Sequence, residues 1–259
     1  MSTATAPAAP RAAVSPAPLP LSTLTIKYLM GLTGLGLILF LILHMAGNLL
    51  VFKGAEALNA YGQWLRDLGP ALWVARIGLL ALFILHVYLA LKIRQRNTAA
   101  RPQRYVVERT LQASTPSQYM LMTGVVILLF VVFHLAHYTF GLVHQVPSQT
   151  QGSEVVVMKN LLDLRDAKGR HDIYTMVVHA CRQWWIVLVY VAAQLVLASH
   201  LAHGASSWFQ SLGINHPRYN VWLWRLGILV AVVIAVGNIS MPVAIWTGMI
   251  GQEVPSVAP

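Results

Sequence analysis

The sequence predicts an all-α membrane protein, a five-transmembrane-helix bundle, from its composition and from the length and number of its apolar runs. Hydrophobic residues make up 57% of the 259 residues and charged residues only 10%. The apolar runs are too long and too continuous for a soluble core. Each approaches the ~20 residues that a helix needs to cross ~30 Å of hydrocarbon. The five predicted spans are residues 25–52, 72–93, 119–142, 184–203 and 222–246.

The segments outside the spans predict one bundle with two short tails. Residues 1–22 are rich in Ala and Pro and contain no apolar block, and the first apolar run has the length of a span and not of a signal peptide. We expect a disordered cytoplasmic tail that stays attached. The haem-binding bundle discussed below then covers residues 23–250, and residues 251–259 form a short C-terminal tail.

The basic residues predict that the N-terminus is cytoplasmic and the C-terminus outside, in a multi-pass protein of the cell inner membrane. The loop between the second and third spans holds six Lys and Arg close to the membrane, where the positive-inside rule acts. They are Lys92, Arg94, Arg96, Arg101, Arg104 and Arg109. The net charge of +10 then indicates this topology and contact with anionic lipid headgroups or an acidic partner. Nothing resembles a basic nucleic-acid recognition module.

Four of the predicted spans each carry a histidine: His44, His86, His134 and His200. An imidazole is costly to place in hydrocarbon unless a partner takes its nitrogen, so an intramembrane histidine is a functional hypothesis. Any one of them alone could be an interhelical hydrogen-bond donor. Four on four helices favour metal ligation, and haem iron is the obvious candidate.

The depths of the four histidines match in pairs. His44 and His134 lie ~24 and ~22 Å from the inner ends of their spans, and His86 and His200 lie ~21 and ~24 Å from the outer ends of theirs. His44 and His134, the outer pair, therefore meet nearer the outer face, and His86 and His200, the inner pair, meet nearer the cytoplasm. Bis-histidine ligation needs one imidazole from each side at matched height, so two levels predict two haems.

Two further histidines leave alternatives open. His137 and His203 each follow a proposed ligand by three residues and lie on nearly the same helix face, so either could replace its neighbour or bond a haem propionate. Cys181 alone can form neither an internal disulfide nor an iron–sulfur site, and we expect a small side chain near the outer surface. The remaining histidines lie in loops or at span ends and are given no metal role: His144, His171, His179 and His216.

Five stretches of the chain carry a resemblance to a known family. They are KYLMGLTGL, LHMAGNLLVFKGAEALNAYG, LHVYLALK, FHLAHYTFG and HLAHGASSWFQSLGINHPRYN. Between Tyr28 and about Asn220 the chain thereby resembles the dihaem cytochrome b membrane anchor of succinate dehydrogenases and fumarate reductases that use quinones. The GAEALN segment and the HxxHG run that leads to LGINHP are the more specific of these motifs.

The resemblance implies a function and a ligand set. The four axial ligands of the family fall on His44, His86, His134 and His200. The spacing of the fourth ligand from the end of its helix, here Leu212, selects His200 over His203, and the FHLxH pattern favours His134 over His137. The implied anchor holds two b haems, docks a flavoprotein subunit and an iron–sulfur subunit on its cytoplasmic face, and passes electrons to or from a membrane quinone, with menaquinone expected. It would serve electron transport and the tricarboxylic acid cycle.

Some expected features of the family are missing or unmatched. Certain fumarate reductases carry a glutamate two residues before the fourth ligand for proton transfer, and Ala198 stands there in this chain. Only Glu56 and Asp67 are near candidates for the carboxylate of an outer quinone site, so that site stays unassigned. The chain has no dinucleotide fingerprint and no catalytic residues for dicarboxylate chemistry, which would belong to the other subunits.

Three other classes compete with this interpretation. A haem b anchor of a hydrogenase or formate dehydrogenase fits the histidines but not GAEALN. A haem-free transporter usually shows an internal repeat or broken helices at corresponding positions, and neither is evident. A purely structural anchor does not need four matched histidines.

Overall fold

The computed structural model describes residues 21–100, 115–143, 145–147, 157–159, 162–214 and 216–254. Three predicted features lie wholly or partly outside these residues: all but the last two residues of the N-terminal tail, residues 255–259 of the C-terminal tail, and part of the basic loop with Arg101, Arg104 and Arg109. His144 also lies outside them.

The described chain is mainly α-helical. In chain order the helices are α1 (Thr23–Asn48), α2 (Ala55–Asp67), α3 (Pro70–Ala99), α4 (Thr115–Gln118), α5 (Met120–Tyr138), α6 (Ile173–Cys181), α7 (Trp184–Ser211) and α8 (Asn220–Trp246). A 3₁₀ turn, Leu49–Lys53, continues α1. Two short antiparallel strands, β1 (Gln145–Pro147) and β2 (Val157–Lys159), pair with each other between α5 and α6.

Five of these helices, α1, α3, α5, α7 and α8, are long and apolar enough to cross a membrane. The predicted all-α five-helix bundle is therefore confirmed, and the chain is a multi-pass membrane protein. The boundaries shift where apolarity and helix propensity disagree. α3 runs on to Ala99 because the Lys and Arg residues that end the apolar run are good helix formers. α5 stops at Tyr138, just before Gly141, whose φ of 62° does not suit a helix.

The bundle is built around α7. α8 packs along α7, α1 packs on α3, α7 and α8, and α5 packs on α7. Small residues allow these close approaches: a Cβ atom added to Gly227 of α8 would lie 3.0 Å from the backbone nitrogen of Ser206 on α7. Leu201, Ala231 and Ile234 form the buried core between α7 and α8.

A folded cap covers the end of the bundle next to the outer pair. It consists of the 3₁₀ turn, α2, residues 162–172, α6 and residues 248–254. Its apolar core includes the end of α8 through Ile245. The other buried members of this core are Val51, Leu58, Tyr174, Val178, Cys181 and Val254. Residues 251–254 belong to the cap, because Arg182 donates hydrogen bonds to the carbonyl oxygens of Gly251 and Val254 at 2.9 and 2.6 Å.

The GAEALN segment, residues 54–59, forms the start of α2 and holds residues 162–172 of the cap against this helix. Gly54 begins the segment with a φ of 86°, which favours glycine, and α2 follows at once. Asn59 is 1% exposed, and its side-chain amide donates to Asp172 at 3.0 Å and accepts from the backbone N–H of Tyr174 at 3.0 Å. This part of the segment therefore has a structural role that sequence reasoning did not assign.

Charged residues also join α2 to residues 162–172. Glu56 accepts hydrogen bonds from Arg170 at 2.7 Å and from Lys168 at 2.8 Å. These bonds, that from Arg170 foremost, lower the pKa of Glu56 to about 2. Asp166 accepts from the Arg170 guanidinium and from the backbone N–H groups of Lys168 and Arg170, and its pKa is lowered by the bond to Arg170 first.

Replacing Asn59→Ala should loosen the cap. The substitution removes the acceptor of the Tyr174 N–H and one of the two hydrogen bonds to Asp172 Oδ1, the other being donated by the Thr175 N–H, at a cost of ~1–3 kcal/mol. We expect tryptic cleavage after the part-buried Arg170 to become about tenfold faster in the purified protein, because cleavage tracks the open population. Gln63→Ala is the control, since Gln63 lies on the same helix and bonds only Asp67. Equal cleavage rates in both variants would contradict this role of Asn59.

The acid response of the cap follows from the lowered pKa values of Glu56 and Asp166. A carboxylate with a lowered pKa in the folded state stabilises that state fully above its ordinary pKa, and the contribution is lost as the pH falls through the lowered value. Exchange protection of the Lys168 and Arg170 amides, corrected for intrinsic rates, should therefore be constant from pH 7 to about pH 5 and decline towards about pH 2. A decline centred near the ordinary carboxyl pKa would show that these ion pairs do not hold the loop.

Candidate functional site

The structure brings the two imidazoles of the outer pair together. The ring centroids of His44 on α1 and His134 on α5 are 5.8 Å apart, and the ring planes are nearly perpendicular at 87°. At a metal–nitrogen distance of ~2 Å, two imidazoles on opposite sides of one metal ion have ring centroids about 6 Å apart. An edge-to-face contact of two aromatic rings has a similar separation, so the hydrogen bonds of the rings must decide between the two interpretations.

One hydroxyl on α7, that of Tyr190, contacts His134 of the outer pair and the neighbouring His137. The Tyr190 oxygen lies 3.2 Å from Nδ1 of His134 and 3.0 Å from Nδ1 of His137. A tyrosine hydroxyl has one proton, so it can donate to one imidazole and accept from the other. If His134 binds a metal ion through Nε2, its Nδ1–H donates to Tyr190 and the Tyr190 hydroxyl donates to His137.

The inner pair has a separate hydroxyl for each imidazole. Nδ1 of His86 on α3 lies 3.0 Å from the hydroxyl of Thr33 on α1. Nδ1 of His200 on α7 lies 3.1 Å from the hydroxyl of Thr123 on α5. Each imidazole of the inner pair is thereby tied to a neighbouring helix, and the pairing of His86 with His200 stays a prediction of the depth argument.

The threonine hydroxyls define which nitrogen of each inner imidazole carries the proton. Thr33 donates to the carbonyl oxygens of Leu29 and Met30, at 2.9 and 3.0 Å. Thr123 makes the same bonds to Tyr119 and Met120, at 3.2 and 3.0 Å. A hydroxyl whose single proton is already donated can only accept a further hydrogen bond. With the hydroxyl protons donated to these carbonyls, Nδ1 of each inner imidazole is assigned as the donor, and Nε2 then keeps a lone pair that could bind a metal ion.

The arrangement has a counterpart in the sequence that pattern reasoning overlooked. Thr33 is followed by Gly34 and, eleven residues after the threonine, by His44. Thr123 is followed in the same way by Gly124 and His134. Eleven residues are three helical turns, or ~16 Å, so each threonine and the following histidine lie on one face at two depths. This TG-x9-H pattern was the available signal for the two threonines.

In the part of the chain that the structure describes, neither histidine pair lies on two closely packed helices. The two helices that carry the outer pair, α1 and α5, are not among the closely packed helix pairs of the described chain, and neither are α3 and α7, which carry the inner pair. Glycine lies next to each inner imidazole: a Cβ atom on Gly34 would be 3.4 Å from Cε1 of His86, and one on Gly124 would be 3.7 Å from Cε1 of His200. Both distances are ordinary van der Waals contacts, so these glycines bring the backbone of α1 and α5 close to the rings.

A buried polar atom near the inner end of the bundle also fits a polar group of a cofactor. Nε1 of Trp208 on α7 is buried and has no hydrogen-bond partner among the described residues. The indole packs against Gly31 of α1, where an added Cβ atom would lie 2.9 Å away. A buried unpaired N–H is costly, and a haem propionate would accept from it. These features make haem a fitting occupant of the inner level.

The alternatives at His137 and His203 now have distinct surroundings. His137 is 0% exposed and its ring stacks on Tyr138 at a centroid separation of 4.1 Å, whereas the ring next to His44 is that of His134. His203 is part-buried. The contacts therefore favour His134 in the outer pair, and the bond to Thr123 favours His200 in the inner pair, while the ligand assignments themselves stay predictions.

The histidines given no metal role have other contacts in the described chain. Nδ1 of His171 lies 3.1 Å from the carbonyl oxygen of Leu162, and Nδ1 of His216 accepts from the backbone N–H of Arg218 at 3.1 Å. His179 lies in the cap, where burial lowers its pKa. No group of three or more His, Cys, Asp or Glu side chains suited to a metal ion occurs in the described ranges, but a bis-histidine haem site contributes only two such side chains.

The remaining residues that the sequence singled out lie in the cap. Cys181 is 4% exposed, burial raises its pKa to about 12, and its Sγ lies 3.9 Å from the Tyr138 hydroxyl. Glu56 is occupied by Lys168 and Arg170, and Asp67 accepts from Gln63 at 2.8 Å. These contacts assign neither carboxylate to a quinone.

Comparison with known proteins adds no assignment, since no family model and no curated protein matches the chain.

The choice between His200 and His203 can be tested by substitution. His200→Ala should abolish the low-spin haem absorption of the inner level, because His200 is the ring that Thr123 holds. His203→Ala should retain it with at most a shifted potential, because His203 lies ~4.5 Å further along the helix axis. Absorption and paramagnetic resonance spectra of the two purified variants provide the comparison. Reversed spectra would make His203 the ligand and require a new partner on α3.

Proposed function

We propose that this chain is the cytochrome b membrane anchor of a succinate:quinone oxidoreductase, a succinate dehydrogenase or fumarate reductase. In this function it binds two b haems, one between His44 and His134 and one between His86 and His200. Haem iron held there would supply one-electron transfer across the bilayer.

The observation that carries the proposal is the hydrogen bonding of the inner pair. Both imidazoles donate from Nδ1 to a buried threonine hydroxyl, which leaves both Nε2 lone pairs available to one iron. An interhelical hydrogen-bonding histidine has no need of a partner histidine at the same depth on the facing helix. The second histidine pair, three helical turns away, supports a second haem of the same kind.

The residues of the chain have defined tasks in this function. The four histidines ligate, the surrounding apolar helices exclude water, and the hydroxyls of Thr33, Thr123 and Tyr190 orient the imidazoles. Redox potential is then set by burial and by these hydrogen bonds.

The partners and the orientation rest on the family resemblance and on the positive-inside rule. The N-terminus and the basic loop after α3 would face the cytoplasm, where the flavoprotein and iron–sulfur subunits dock. The membrane quinone, expected to be menaquinone, exchanges electrons with the haems, and the dicarboxylate chemistry stays in the partner subunits. The protein would lie in the cell inner membrane, in contact with the lipid bilayer.

The competing haem anchor, that of a hydrogenase or formate dehydrogenase, has the same four-histidine requirement. Glu56 and Asn59 of the GAEALN segment hold the cap together, and either kind of haem anchor could have such a cap. Their structural role therefore does not separate the two classes of anchor. Measuring succinate oxidation with quinone analogues in the whole purified complex distinguishes them.

Haem stoichiometry tests the proposal directly. We expect pyridine haemochrome analysis to give two b haems per chain. His44→Ala should remove only the outer haem and His200→Ala only the inner one, because each level draws on its own pair of helices. His216→Ala is the control, since this histidine lies in a loop and bonds Arg218. The absence of haem from the wild-type protein, or a single haem per chain, would refute the two-site assignment.

A further inference from the structure

We propose that Thr33 and Thr123 are positioning residues that fix the tautomer and the ring orientation of the two inner imidazoles. The inference rests on the proposed function, because it assigns the role of these threonines towards ligands of haem. It adds two residues to the site that neither the depth argument nor the resemblance contains.

The two threonines are buried, so their hydroxyls are removed from the surroundings of the bundle and must find partners inside it. Thr33 is 3% exposed and Thr123 is 8% exposed. A buried threonine in a membrane helix commonly bonds a carbonyl of its preceding turn, which satisfies the hydroxyl proton. The additional bond to an imidazole on a neighbouring helix, at 3.0 and 3.1 Å, uses the lone pair that remains.

The direction of these bonds gives them a chemical effect on the ligand. An imidazole that donates its distal N–H to an acceptor becomes a more basic ligand and is held in one orientation. A more basic axial ligand stabilises the ferric state, so loss of the bond should raise the midpoint potential. The same loss frees the ring to rotate, which changes the relative orientation of the two axial rings.

The outer pair lacks this arrangement, which restricts the expected effect to one level. His134 shares the Tyr190 hydroxyl with His137, and His44 stacks on Phe40 at 5.3 Å without a hydrogen bond to any described residue. The hydroxyls of Thr33 and Thr123 lie three turns from the outer pair. Removing either should leave the outer haem unchanged.

The test compares Thr33→Val and Thr123→Val with the wild type in the purified whole complex. Val keeps the branched shape and removes the hydroxyl. Midpoint potentials are measured by optical redox titration, and the g values of the ferric haems report the orientation of the axial rings. The inner haem is identified as the one absent from His200→Ala. Thr247→Val is the matched control, because the Thr247 hydroxyl donates to the carbonyl oxygens of Val243 and Ala244 and contacts no histidine.

We expect each Val variant to raise the inner midpoint potential and to alter the g values of the inner haem alone. Thr33→Ser and Thr123→Ser, which keep the hydroxyl, should restore the wild-type values, and Thr247→Val should match the wild type. If a Val variant is not recovered in the membrane, the corresponding Ala variant, which adds no methyl group in place of the hydroxyl, takes its place.

The possible failures are distinguishable. A wild-type complex with two haems whose inner potential and g values are the same in both Val variants overturns the positioning role and leaves the proposed function intact. Equal shifts of both haems also overturn it, because they indicate a general loosening of the bundle. A wild-type complex without haem overturns the proposed function, and this inference with it.

Discussion

The constraint on which this structure depends is that an imidazole in hydrocarbon needs partners for both of its nitrogens. One nitrogen carries a proton and the other a lone pair, and lipid satisfies neither. In the inner pair the protonated nitrogens are taken by the hydroxyls of Thr33 and Thr123, which lie on neighbouring helices. The depth argument predicts that the two remaining lone pairs face each other, and a shared metal ion would then satisfy them together.

The hydrogen bonds of the inner pair lie at two of the helix contacts. Thr33 reaches His86 where α1 packs on α3, and Thr123 reaches His200 where α5 packs on α7. The helices of each histidine pair stand further apart, where a macrocycle needs room. The three-turn spacing between threonine and histidine lets α1 and α5 serve both levels: each supplies a ligand to the outer pair and a hydroxyl to the inner pair.

Much of the fold follows from the sequence, because bilayer thickness sets the length of an apolar run directly. The depth pairing of His44 with His134, and of His86 with His200, follows from the same helical rise. The cap could not be predicted in this way. It depends on pairs such as Asn59 with Asp172 that are distant in sequence and carry no periodic signal. Thr33 was overlooked for another reason: a threonine in a membrane helix looks ordinary until its neighbour is known.

The two levels differ in how strongly the hydrogen bonds of the imidazoles determine which ring nitrogen carries the proton. At the inner level each imidazole has its own hydroxyl, and that hydroxyl also bonds backbone carbonyls of its own helix, which favours Nδ1 of the imidazole as the donor. At the outer level the single proton of Tyr190 lies between His134 and His137. The tautomer of His134 is therefore linked to that of a second, fully buried imidazole. Each inner imidazole thus bonds a hydroxyl that is anchored on its own helix, whereas His134 of the outer pair belongs to a side-chain network whose members depend on one another.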